Sequence, residues 1–268
     1  RSVAGYWSAL SIAALCCASA CSDAPPATPV PALDPGTLSV ANFNNGSFES
    51  GNLTGWNVFR RRNGDGNGSG IPTFPPTTLA HLGLVDQGNS PSRTAAINSG
   101  TAGFPIPSGL AAGDSLRYPF EGTNSAVVNR GGDNTRAEYI QQTAVMTPAD
   151  VDATDGKIHL RFAAAPVLNN PTHTPNQQPY FFIELYNTTK NIQLFNSFNF
   201  ANQPGVGWKD AVGSNGNIQY TDWQAFDVAP GAAGVDIGDS VQATVVASGC
   251  AFTAHFGEVF VDQFTTAF

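Results

Sequence analysis

Trp208, set between Gly205-Val206-Gly207 and Lys209-Asp210, is the side chain best suited by type and context to hold a ligand. An indole exposed on such a loop offers a flat apolar face on which a pyranose stacks while nearby polar groups bond its hydroxyls. Trp56 and Trp223 read as structural rather than as platforms. The run Arg60-Arg61-Arg62 is the one basic cluster. Arg60 and Arg62 suit an anionic polysaccharide, and the same run suits a charged strand margin that resists edge-to-edge pairing.

Catalytic constellations are sparse. Four histidines, His81, His159, His173 and His255, leave few candidates for a general base. There is no Gly-x-Ser-x-Gly elbow, no His-Glu-x-x-His helix and no Gly-rich phosphate loop followed by Lys. Glu121, Glu138, Glu184 and Glu258 are the carboxylates from which a glycosidase pair would come, but no spacing brings two of them together. No catalytic residue is assigned, and His255 is read as ordering the turn before the last strand. In 63–69, oxygen-bearing side chains alternate as in the first half of an EF-hand loop, but position twelve falls on Phe74, so the bidentate acid is missing and a Gly-rich turn is expected.

The address is written at the front. Arg1 precedes an apolar, small-residue run that is too short for a comfortable membrane span and fits the core of a signal peptide. Ala18-Ser19-Ala20-Cys21 resembles a bacterial lipobox, with Ala18 where Leu is usual, and makes Cys21 the expected lipidated residue; ordinary cleavage after Ala20 is the alternative. Residues 1–21 are thus expected to be a signal and 22–37 a Pro-rich extended tether, with membrane contact through the lipid alone. Either cleavage exports the protein, anchored or free. Three of the four cysteines fall in that leader, so Cys250 is alone in 38–268 and neither a disulfide framework nor a two-cysteine metal site is available there. With 12 basic against 20 acidic residues, the net charge of −8 argues against nucleic acid as a partner.

The elements that must position these residues are strands. Only 12% of residues are charged while Gly (28) and Pro (19) abound, a composition that favours turns and strands over helices. Segment 157–164 alternates, with Ile158, Leu160, Phe162 and Ala164 on one face, and predicts a half-buried strand. Strands are likewise expected at 138–145, 180–186, 192–198, 220–228, 240–247 and 256–264, with shorter ones at 79–85 and 93–97. The Phe-rich 195–200 reads as core. Many short strands without a helical stripe imply a single all-β domain over 38–268, an antiparallel β-sandwich of jelly-roll type with long surface loops at 63–76 and 98–113.

Two stretches resemble a known family. The opening Asn45-Gly46-Ser47-Phe48-Glu49-Ser50-Gly51-Asn52-Leu53-Thr54-Gly55-Trp56 is similar to the start of galactose-binding-like carbohydrate-binding modules, and Gly257-Glu258-Val259-Phe260-Val261-Asp262 is similar to their closing strand. Cys250 followed by His255-Phe256-Gly257 resembles a pattern that precedes that strand in extracellular bacterial proteins of this type. The resemblance implies that first and last strands are neighbours and that a structural calcium is held by Glu49 and Asp262, completed by Asn52 or by main-chain oxygens around Asn45 and Gly51. Calcium takes six to eight oxygen ligands at roughly 2.3–2.6 Å, which such a set can supply. The function implied is non-catalytic binding of polysaccharide or another extracellular glycan. A structural envelope or adhesion protein, and a glycoside hydrolase or lyase on the same scaffold, are the alternatives.

Overall fold

The computed structural model describes residues 43–64, 67–88, 90–98, 109–131, 135–252 and 254–266. The expected signal, tether and Cys21 lie outside these residues, as does part of each long loop. Thirteen strands are found among the described residues: β1 (Asn57–Arg62), β2 (Val85–Asp86), β3 (Ala95–Asn98), β4 (Asn124–Val128), β5 (Arg136–Val145), β6 (Leu160–Asn169), β7 (Tyr180–Asn187), β8 (Ile192–Phe200), β9 (Lys209–Asp210), β10 (Ile218–Tyr220), β11 (Gln224–Val228), β12 (Ser240–Ser248) and β13 (Gly257–Thr265). They form two antiparallel sheets in the orders β2-β1-β5-β12-β7-β8 and β3-β4-β13-β6-β10-β9, with β11 also paired to β6. The protein is an all-β sandwich.

Side-chain alternation sorts each central strand onto two buried faces. Val241, Ala243, Val245 and Ala247 of β12 meet Val259 and Val261 of β13 in the central layer between the sheets. Val246 points the other way, joining Tyr139, Tyr180 and Phe182 on the outer face of the first sheet. On the second sheet Phe260, Val127 and Val167 do the same, covered by Leu116 and Tyr118. Long loops thus give each sheet a second apolar layer.

That covering corrects several expectations. The strand expected to be half-buried begins at Leu160, and its residues are buried on both faces through Leu168, because Ala165 and Val167 find partners outside the sheet. Segment 79–85 is not a strand: Leu79–Leu82 is a 3₁₀ turn whose two leucines cap the outer layer, Gly83 ends it in the left-handed region, and only Val85–Asp86 pairs. The run 220–228 splits into β10 and β11. The break lies beside Pro166 of β6, which has no N–H to offer a ladder. The Phe-rich β8 is a half-buried edge strand rather than core. The remaining predicted strands start and stop within two residues of their expected ends.

The first and last strands are not paired neighbours as the resemblance implied, since β1 and β13 lie in different sheets; it is the turn segment 43–56 before β1 that packs on β13. Trp56 and Phe264 have ring centroids 5.0 Å apart, and Phe264 N–H donates to the Gly46 carbonyl at 3.0 Å. A Cβ at Gly46 would stand 2.0 Å from the Phe264 carbonyl oxygen, which is backbone and cannot swing aside. Gly46→Ala is therefore expected to cost about 1–3 kcal/mol by overpacking. Denaturant unfolding reads this as a lower midpoint at unchanged slope. An unmoved midpoint would mean that this seam is not closed in solution.

Candidate functional site

Glu49 and Asp262 hold the two halves of one short segment. Glu49 Oε1 accepts the backbone N–H groups of Thr123 and Asn124, both at 2.9 Å. Asp262 Oδ2 accepts those of Phe120 and Glu121 at 3.2 and 3.3 Å, and its Oδ1 accepts that of Gln263 at 2.8 Å. Gly122, between the two pairs, has φ +69°, and a Cβ there would lie 2.4 Å from Glu49 Oε1, so only glycine lets the segment close over the carboxylates. Asp262 is fully buried whereas Glu49 is exposed. Burial pushes the Asp262 carboxyl up to about 8 against the pull of the Glu121, Gln263 and Phe120 N–H groups, and the charge of Glu49 adds a smaller push.

The other expected ligands tie their own turn. Asn45 Nδ2 donates to the carbonyls of Asn52 at 2.8 Å and Thr54 at 3.4 Å, while its Oδ1 accepts Ser50 N–H at 3.3 Å. Asn52 Oδ1 accepts Thr54 N–H at 2.8 Å, and Gly51 turns the chain at φ +68°. The test of fit is therefore the carboxylate pair. The two acids supply hard oxygens, the donor type a divalent cation takes, and Asp262 feels the charge of Glu49. The same oxygens also accept the backbone N–H groups of 120–124 and Gln263, which a bound cation would have to share or displace. Asn45 and Asn52 serve the shape of the loop that carries Glu49.

Trp208 is not the exposed platform expected. It is half-buried, packs on the central layer, and its Nε1 is enclosed without a hydrogen-bond partner. The indole covers the core from its loop. Trp56 is core, as read from sequence, at 6% exposure. Trp223 packs partly on the outer layer of the second sheet, donates from Nε1 to the Arg117 carbonyl at 2.6 Å and leans on Phe120. Arg60 donates to the Ser90 carbonyl at 3.1 Å, and Arg62 Nε is enclosed without a hydrogen-bond partner. Arg61, between them, pairs with Asp86 at 2.9 Å and lies over the Phe59 and Tyr139 rings. The triplet is not a free cationic patch, because β2 and the following loop cover it.

Of the acids considered for catalysis, Glu121 is exposed and the other three are held singly. Glu138 is wholly buried and accepts Ser92 Oγ, Arg93 N–H and Thr94 Oγ1 at 2.7–3.0 Å. Glu258, also buried, accepts Gly131 N–H at 2.8 Å. Glu184 accepts Gln193 Nε2 at 2.7 Å, and burial pushes its carboxyl up.

What sequence reasoning missed is an aromatic cleft at the β8 edge. Phe74, 39% exposed, stands edge-on to Phe198 and Phe200, with centroids 5.7 and 5.6 Å away. These rings line a cleft of about 480 Å³ together with Thr77, Asn196 and Gln203. Gln203 Oε1 accepts Phe200 N–H at 3.1 Å, which leaves its amide nitrogen to donate, and Asn196 Nδ2 is spent on Gln193 Oε1 at 2.6 Å, which leaves its oxygen to accept. An apolar wall flanked by one donor and one acceptor can stack a sugar ring and read its hydroxyls. The available signal was the alternation of Phe198 and Phe200 on an edge strand, but their partner Phe74 comes from a distant loop.

No family model matches the sequence, and no curated protein matches it. Among solved structures, one concerned with the promiscuous specificity of carbohydrate-binding modules of the β-sandwich superfamily is similar over 84% of this chain and 60% of its own, with TM-score 0.35 and 11% identity. This chain thus spans about three fifths of that structure's length. A second, the module CBM27-1 of Caldicellulosiruptor saccharolyticus in complex with mannohexaose, is similar over 64% of this chain and 95% of its own, with TM-score 0.25 and 14% identity.

Proposed function

We propose that the protein is an exported, non-catalytic carbohydrate-binding β-sandwich that takes a polysaccharide in the cleft beneath Phe74. The observation that carries this reading is the Phe74, Phe198 and Phe200 wall with Asn196 and Gln203 beside it. Its volume of about 480 Å³ falls within the range of small-ligand pockets, roughly 300–1,000 Å³. Calcium at Glu49 and Asp262 completes the proposal. It would neutralise the carboxylate pair and pin segment 120–124 to the seam between residues 43–56 and β13, a structural service at a distance from the sugar. The lipobox-like Ala18-Ser19-Ala20-Cys21 supports display on a bacterial surface through a lipid on Cys21. A glycan array probed with the purified protein, followed by calorimetric titration of the best ligand, tests the reading. Saturable binding to at least one polysaccharide is expected, and silence across plant, microbial and envelope glycans overturns it.

A further inference from the structure

Three side chains with metal-ligating atoms converge where β6 leaves the second sheet and β12 turns into β13. His173 lies between β6 and the 3₁₀ turn Pro175–Gln177, Cys250 follows β12, and His255 precedes β13. Their ligand atoms all lie within 4.8 Å of one another. His255 Nδ1 is 3.3 Å from Cys250 Sγ, and the His173 and His255 rings stand at 70° with centroids 5.2 Å apart. The backbone fixes the site: Cys250 N–H donates to the His255 carbonyl at 3.2 Å, Ala251 N–H to that of Gln177 at 3.0 Å.

As it stands, the cluster leaves bonding capacity unused. His173 Nε2 is enclosed without a hydrogen-bond partner. Burial holds both imidazoles below their ordinary value. A Cys–His nucleophile is the competing chemistry. The sulfur is fully buried, however, and burial pushes the thiol up, the reverse of what a reactive thiolate needs.

We propose that His173, Cys250 and His255 form a binding site for one borderline-soft transition-metal ion, with zinc the best match and a fourth position left for an exogenous ligand. Two nitrogens and a sulfur are poor ligands for calcium or magnesium and good ones for zinc. Zinc bonds of about 2.0–2.1 Å to nitrogen and 2.3 Å to sulfur in a tetrahedron place ligand atoms about 3.3–3.6 Å apart; from separations of at most 4.8 Å that adjustment is within reach of side-chain rotation. The ion would deprotonate the thiol and clamp the loop after β6 to the β12–β13 turn. The site is separate in chemistry from the hard oxygen pair of Glu49 and Asp262 and does not rest on the glycan reading.

The test is titration of the reduced, chelator-stripped full chain with Co²⁺ and then Zn²⁺. A single equivalent of Co²⁺ should give visible bands of a tetrahedral ion and a near-ultraviolet sulfur-to-cobalt band, both bleached by one equivalent of Zn²⁺. His173→Gln, at a half-buried position, should weaken Zn²⁺ by at least about 100-fold, the upper end of what losing a hydrogen-bonding partner of a ligand costs. Cys250→Ser should remove the sulfur band while far-ultraviolet circular dichroism reports an intact sandwich. A sulfur band that survives Cys250→Ser comes from Cys16, Cys17 or Cys21 and overturns the proposal. So does folded wild-type protein that binds neither ion, or affinity unchanged in His173→Gln.

Discussion

Calcium should raise the melting temperature of this protein, and the gain should grow as pH rises from 5 to 8. The reason is Asp262. Its carboxyl is pushed up to about 8 by burial, from an ordinary value of 3.8. In chelated protein the folded state therefore holds a proton that the unfolded chain has released, across the window from about pH 4 to about pH 8. A group whose folded value is raised contributes stability below its unfolded value and loses it as pH climbs to the folded one, so chelated protein weakens through this window. On the proposal above, calcium would compete with that proton and bind best where the proton is weakly held, near pH 8. If it binds only the folded state, a hundredfold excess over its dissociation constant adds about 2.7 kcal/mol, about 5–10 °C for a domain of this size. Differential scanning fluorimetry with calcium or chelator at pH 5, 6.5 and 8 measures it. Asp262→Asn should flatten the pH dependence and abolish the calcium response together. A melting point indifferent to chelator at pH 8 would remove the metal from the proposal.

The seam that carries this pair joins stretches far apart in the chain and was legible only through the resemblance of 45–56 and 257–262 to a known family; what is local in it is the demand each stretch makes on its own residues. Gly46 must be small to pass under Phe264, and Trp56 must be large to fill the space beside it, so both leave a mark on a few residues of text. Strand positions were legible directly: a strand between two layers shows its alternation locally. What was hidden is what arrives from elsewhere. Leu79 and Leu82 read as a strand because a short apolar run looks the same whether it pairs with neighbours or caps a sheet. Trp208 read as exposed because its glycines mark a loop, yet nothing nearby says that the loop folds back onto the central layer. The β6 strand read as half-buried because its outer cover comes from chain far along the sequence.

The same separation governs the cleft, and there it sets the second large effect. Phe74→Ala should weaken glycan binding on the order of 100-fold, about 2.7 kcal/mol, while the sandwich melts close to wild type. Phe74 lies on a loop over the sheet edge and is 39% exposed, so its loss strips one wall from the cleft without opening the central layer. Phe198 and Phe200 remain on β8, held by its pairing with β7. Gln203→Ala should cost less, about 1–2 kcal/mol, since it removes one donor and a hydrogen bond to Phe200 N–H. Two tryptophans provide the contrast. Trp208→Ala should lower the melting temperature more than the affinity, because its ring covers the core. Trp223→Ala should leave binding within about twofold, roughly 0.4 kcal/mol, because Trp223 leans on Phe120 against the opposite sheet. Calorimetric titration of the four variants separates the outcomes. Should Trp223→Ala abolish binding while Phe74→Ala preserves it, the sugar sits on the Phe120 and Trp223 pair, and the β8 cleft is only a packing fold between a proline-rich loop and an edge strand.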